Sequence, residues 1–229
     1  MLLLLQMSGS LRGAAMVLGG RLDLTALVTE QFDSNIGSSA TDPVDDNILT
    51  IKPGMTYLRS SGLLGVNLDM GIEVGRFYED RLLNFENLQV SAGFDYPNVP
   101  NSKWNGSLTT SYLENSSANP IAHERLSSEV FSNQVTARYD FLPIYGIGVD
   151  AARSITRSLI ARSGTRLSDV EQDTLGSHLF YKYSDLLEFK FSYRYRDNQI
   201  IGNPADIFSV SDASKMSGED QAFSVGVNG

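Results

Sequence analysis

In the stretch GVNLDMGIEVG (65–75), Val66, Leu68, Met70, Ile72 and Val74 alternate with Gly65, Asn67, Asp69, Gly71, Glu73 and Gly75. A period of two belongs to a β-strand with one apolar and one polar face. The pattern recurs along the chain. Leu22, Leu24, Ala26 and Val28 alternate with polar residues, Leu27 being the one misfit. Leu49, Ile51, Met55 and Tyr57 follow, and Leu88, Val90, Ala92, Phe94 and Tyr96 alternate without exception. Further runs are carried by Trp104, Leu108 and Tyr112, by Val135, Ala137 and Tyr139, and by Tyr145, Ile147 and Val149. The last are Leu175, Leu179, Tyr181 and Tyr183, then Phe189, Phe191, Tyr193 and Tyr195, then Phe223, Val225 and Val227. The pattern predicts about ten strands of roughly 9 to 12 residues and no helix, a length that spans a bilayer when the strands tilt.

Alternation alone does not decide which face meets water. A soluble sandwich turns its apolar face onto a second sheet, whereas a transmembrane barrel turns it to lipid and keeps polar groups around a lumen. The links carry the distinction. Arg59-Ser60-Ser61-Gly62, Pro97-Asn98-Val99-Pro100-Asn101, Phe141-Leu142-Pro143 and Ser184-Asp185 are short, and they alternate with long polar stretches such as ENSSANPIAHERLSSE and TRSLIARSGTRLSDVEQD. Short turns at one end and long loops at the other are the build of an outer-membrane barrel, and a Greek-key sandwich has no reason to sort its links this way. Aromatic placement agrees with the barrel. Tyr57, Tyr96, Trp104, Tyr139, Tyr145, Tyr183 and Phe189 fall on the apolar face beside the short turns, where an aromatic girdle would sit at the membrane interface. The fold class expected is therefore all-β, an antiparallel up-and-down meander forming a transmembrane β-barrel.

Composition narrows this picture. No run of the 229 residues reaches the roughly 18 apolar residues of a membrane-spanning helix, so any crossing must use a closed barrel. Without cysteine, there is no disulfide framework or thiolate site. A net charge of -9 argues against an electrostatic nucleic-acid binder. The opening MLLLLQMSGSLRGAAMVLGG has a leucine run but no basic start, which makes residues 1–20 a poor, degenerate signal peptide preceding a barrel domain at 21–229.

Strand parity then assigns the charges. Asp23, Lys52, Asp69, Glu73 and Asp95 point to the lumen from the first strands, and Arg138, Asp140, Asp150, Lys182, Glu188, Lys190, Arg194 and Arg196 from the later ones. An acidic wall facing a basic one would set a field across a pore; alternatively, these charges pair with neighbours and only solvate the lumen.

The segment TEQFDSNIGSS and the following DDNILTIKPGMTYLRSSGLLGVNLDMGIEVGRF carry a family resemblance. With Asp33-Ser34-Asn35-Ile36 closing an early strand and Pro53-Gly54 read as part of a turn-rich hairpin, the chain from about Arg21 onward resembles the outer-membrane β-barrel porins often encoded beside exopolysaccharide loci. The resemblance implies an outer-membrane location, insertion by the barrel-assembly machinery, and passage or export of polysaccharide or other polar solutes. Barrels of this kind end in a strand with a terminal aromatic residue, whereas this sequence ends Ser224-Val225-Gly226-Val227-Asn228-Gly229. Further C-terminal strands, and hence an incomplete or open barrel, are the expectation.

Enzymatic chemistry has few carriers. Of the two histidines, His123 lies in a long polar loop beside Glu124, and His178 has lumen parity while neighbouring Ser177 points the other way. No catalytic set follows, and no cofactor is implied. Asp42, Asp45 and Asp46 could offer carboxylate oxygens to Ca²⁺ but lack regular ligand spacing, and a solvated loop explains them as well. Three functions stay open: a porin, an adhesin or structural barrel acting through its loops, and a soluble carbohydrate-binding sandwich.

Overall fold

A computed structural model describes residues 4–36, 45–99, 102–119, 124–160, 165–166, 169–184, 186–201 and 216–228. The strands are β1 (Leu4–Val17), β2 (Gly20–Asp33), β3 (Asp46–Arg59), β4 (Gly65–Phe77), β5 (Phe85–Tyr96), β6 (Trp104–Asn119) and β7 (Glu124–Leu142). They continue as β8 (Tyr145–Ile160), β9 (Thr165–Arg166), β10 (Asp169–Ser184), β11 (Leu187–Ile201) and β12 (Met216–Asn228). All belong to one sheet in which each strand pairs antiparallel with its sequence neighbour, except that two-residue β9 sits on β8 off the main path and β10 pairs β8 directly. The edge strands β1 and β12 are not hydrogen-bonded to each other, so the meander is open. No second sheet is stacked on it among the described residues, which removes the sandwich.

The two faces differ as the alternation requires. Met70 is 46% exposed, Leu179 59% and Phe223 82%, and no large side chain among the described residues is fully buried. An apolar surface this extensive and this exposed is not that of a soluble domain, which hides such residues or confines them to small patches. The opposite face is polar. Residues of that parity from β5 through β11, together with the turns after β3 and β5, line one shared cavity, so this face is the concave one.

Several sequence expectations are corrected. Residues 4–17 form β1, paired along its whole length with β2 through a two-residue turn. Leu18 and Gly19 both have positive φ, 49° and 77°, the twist that joins tightly connected antiparallel strands. The leucine run and the weak alternation of SGSLRGAAMV hide this strand from a periodicity reading. Pro53-Gly54 lies inside β3 rather than in a turn, and the β3–β4 register passes from Ile51↔Val74 to Gly54↔Gly71 without pairing the two residues between; proline has no N–H for the ladder.

The long loops are also shorter than hydrophobicity implies. β6 and β7 stay paired out to Asn119↔Glu124, and β8 runs to Ile160. The ladder needs only backbone groups, so strands continue past the point where outward residues cease to be apolar. That point is marked by charges of outward parity: Arg76 with Glu86, Arg153 with Glu171 (2.9 Å), and Arg157 with Asp169 (4.0 Å). The outward face is thus an apolar band with aromatic residues towards the short turns and ion pairs towards the other end.

The best-packed region lies at that other end. Phe77 and Leu83 are buried, and a single 3₁₀ turn, Arg81–Leu83, fills the β4–β5 link. Asp46, only 3% exposed, accepts hydrogen bonds from the backbone N–H groups of Tyr78, Glu79 and Asp80. The carboxylate suggested by sequence as a Ca²⁺ ligand is occupied in fastening this link to β3. Asp42 lies outside the described residues, as does His123.

Candidate functional site

The concave face is built by the even positions of β7, β8, β10 and β11 and by the odd positions of β4 and β5. A cavity of about 770 Å³ opens on it, lined by Asp95, Asn98, Ser107, Thr136, Arg138, Asp150, His178, Phe180, Lys190 and Arg194 among others.

Glycines make room for the charged groups. A Cβ on Gly176 would stand 2.4 Å from an Asp150 carboxylate oxygen, one on Gly148 would stand 3.0 Å from the Phe180 ring, and one on Gly146 would collide with Asp140. The register explains this: Gly146 and Gly148 face Phe180 and His178 across β8 and β10, and Gly176 faces Asp150. Side chains of the wall therefore lie flat over glycines instead of projecting into the lumen.

On this floor Arg138 bridges the wall. Its Nε donates to Asp140 (2.8 Å) and its Nη2 to Glu188 (2.7 Å), although Glu188 is on β11, three strand spacings or roughly 14 Å away from β7. Between them lies Phe180, with the guanidinium carbon 4.0 Å from the ring centroid, a cation–π contact. His178 is buried, with Nδ1 3.0 Å from Ser192 Oγ and Nε2 against Asp150.

The remaining candidates are distributed as follows. Asp23 pairs with Arg21 (2.8 Å), Lys52 with Glu73 (2.8 Å), and Asp69 accepts from Thr56 (2.7 Å). Lys182 stands opposite Glu188 in the β10–β11 register. Asp95, Lys190 and Arg194 line the cavity, and the Arg196 Nε is buried without a hydrogen-bond partner among the described residues. Most of the charges assigned to the lumen thus have partners, and the simple picture of opposed acidic and basic walls dissolves into local pairs plus a remainder on β11.

The aromatic candidates lie on the opposite face near the short turns. Trp104 stacks on Tyr139 at 4.5 Å and Tyr145 on Tyr181 at 5.3 Å, with Tyr181 6.2 Å from Phe189. Tyr57 covers Gly20, while Tyr96 and Tyr183 are largely exposed.

Sequence reasoning missed two participants. The partnership of Ser192 with His178 escapes a reading that sets His178 against Ser177, its neighbour in the chain, instead of the residue opposite it on the next strand. Phe180 was passed over inside the apolar run LFY, although it alone of the three has lumen parity; an aromatic residue at a lumen position facing glycine is the signal that would have found it. Asp150, His178 and Ser192 form a line of hydrogen bonds across β8, β10 and β11. The line fixes the histidine in the wall.

These features, an exposed apolar band, a polar concave face and an antiparallel meander, define a membrane β-barrel sheet. No protein-family description matches the chain, and no curated protein matches it. Among solved structures it is similar to the copper transporter OprC, at 13% sequence identity and a TM-score of 0.64, over 99% of this chain and 41% of that one. The likeness is one of fold, an outer-membrane barrel sheet, and the chain spans less than half of that protein's length.

Proposed function

We propose that the chain is a porin-like barrel protein of the bacterial outer membrane, whose polar concave face passes polar solutes. The observation that carries this reading is the division of one sheet into an exposed apolar band and a cavity-bearing, charged face. Its partners on this reading are outer-membrane lipid along the band, the solute inside, and the barrel-assembly machinery during insertion. Polysaccharide is a candidate solute on the strength of the family resemblance alone. The copper of the structural neighbour belongs to that protein, and a fold shared at 13% identity does not bring it here.

Closure is part of the same proposal. Among the described residues the meander has eleven strands on its path, so β1 and β12 run in the same direction. Joining them directly, or joining two copies of this sheet edge to edge in one membrane orientation, would create parallel pairs. Lipid tolerates no open edge, and bacterial outer-membrane barrels of one chain use even numbers of antiparallel strands. An antiparallel closure therefore takes an odd number of additional strands.

The experiment is conductance in planar bilayers with the full-length protein, with and without added polysaccharide. Stepwise currents support the porin, and block by polysaccharide supports that solute. A well-inserted protein that carries no current favours the second reading, a structural or adhesive barrel. The observation behind that alternative is the polar ribbon formed by β6 and β7, which stays paired to Asn119↔Glu124 beyond the apolar band.

A further inference from the structure

We propose that Lys190 and Arg194 of β11 form an anion-binding subsite in the lumen, selective for solutes that carry phosphate or carboxylate groups. This inference rests on the porin reading for its physiological meaning, but the site can be tested apart from it. Arg21, Lys52, Arg76, Arg138, Arg153 and Arg157 each have a carboxylate within 4.0 Å. Lys190 and Arg194 line the cavity, yet neither makes an ion pair with a described residue.

The carboxylates nearest in the ladder are committed elsewhere. Glu188, two residues from Lys190, is held by the guanidinium of Arg138 through two hydrogen bonds, and Asp140 is held by the same group. Asp150 reaches Gly176, the residue directly opposite Arg194, but turns its carboxylate to His178. The residues paired with Lys190 and Arg194 on the other side, Gly226 and Ala222 of β12, carry no charge.

Neither cation is neutralised by a described carboxylate, and the low-dielectric walls of the concavity focus their field, so that an incoming anion is attracted more strongly than on an open surface. Lys190 keeps one contact, with its Nζ 5.6 Å from the Phe180 ring centroid; this orients the ammonium without neutralising it. Arg194 offers the planar fork that suits phosphate and carboxylate. Four residues apart on one strand, the two Cα atoms are about 13 Å apart, so a solute bearing two anionic groups can engage both, and a simple anion passes from one to the other. Arg196 is left out because Asp220 stands opposite it.

The test is a Lys190→Gln, Arg194→Gln double variant of the full-length protein, with Arg153→Gln on the outward face as control. Reversal potentials in a KCl gradient at low salt should show the anion-to-cation permeability ratio falling roughly threefold or more in the double variant and unchanged in the control. Pyrophosphate should reduce the current of the wild type and not that of the variant. A conducting variant with wild-type selectivity and wild-type pyrophosphate block overturns the subsite while leaving the porin intact. If no current is seen in any form, the porin reading fails, and the subsite is decided by calorimetric titration of pyrophosphate into the detergent-solubilised proteins. Binding to the wild type that the double variant lacks supports it, whereas equal or absent binding in both overturns it.

Discussion

The wall made by β2–β5 and the wall made by β7–β11 share one outward code and differ inside. On β2–β5 most inward charges are settled with immediate neighbours, Asp23 with Arg21, Lys52 with Glu73 and Asp69 with Thr56, while Asp95 lines the cavity. The glycines there are covered unevenly: Phe85 lies over Gly75 and Thr25 against Gly54, whereas a Cβ on Gly71 would meet nothing closer than the Pro53 carbonyl at 3.6 Å. On β7–β11 the glycines are roofed by Asp140, Asp150 and Phe180, and the charges form a bridge across several strands that leaves Lys190 and Arg194 over. On the proposed membrane reading, lipid would impose the same demand on every outward position, and both walls alternate alike there. The inward positions answer to whatever occupies the lumen, and they are free to diverge.

The largest effect should come from breaking what the walls share. Met70→Arg, on the outward face of β4, is expected to cost about 2–4 kcal/mol if the side chain lies near the bilayer midplane, measured by urea unfolding in vesicles. Equal stability of Met70→Arg and the inward Gly71→Arg would remove the assigned parity.

Next comes a contrast between the walls. Gly176→Ala should cost about 1–3 kcal/mol, since its Cβ would displace the Asp150 carboxylate from 2.4 Å. Gly71→Ala should fall within about 0.5 kcal/mol of wild type. Similar values for the two would mean that the packed floor around Gly176 is no different from the open place at Gly71.

Arg138→Met removes the bridge and takes the guanidinium away from both Asp140 and Glu188. With these side chains only 20–32% exposed, the loss should reach about 1–2 kcal/mol after allowance for water. Lys52→Met, breaking a more exposed pair on the other wall, should cost under about 1 kcal/mol. The smallest effect expected is a gain: Leu18→Gly relieves a side chain held at φ 49° and should stabilise the β1–β2 hairpin by up to about 1 kcal/mol, read from the unfolding midpoint.

The same contrast explains how much could be read from sequence. From Leu22 to Val227 the meander was legible because apolar residues alternate with polar ones, and in the strands with the cleanest alternation, β4 and β5, the register pairs apolar with apolar positions, Val66 with Phe94, Leu68 with Ala92 and Met70 with Val90. Where lipid makes no demand, the signal stops: the polar ends of β6, β7 and β8 look like loops, and Pro53 looks like a turn. β1 was missed because its small residues give alternation little contrast. For the site, parity placed Lys190, Arg194 and His178 on the concave face, but pairing across strands depends on register. Register is a property of two segments, and neither Ser192 beneath His178 nor Glu188 reaching Arg138 can be seen in one segment alone.

The central claim is that alternate residues of one strand face lipid and water. As the chain has no cysteine of its own, single cysteines can be placed at each position from Val66 to Val74 and challenged with a membrane-impermeant maleimide in proteoliposomes. The expected result is reaction at Asn67, Asp69, Gly71 and Glu73, and protection at Val66, Leu68, Met70, Ile72 and Val74. Uniform reactivity along β4, or protection of the odd positions with labelling of the even ones, would contradict it.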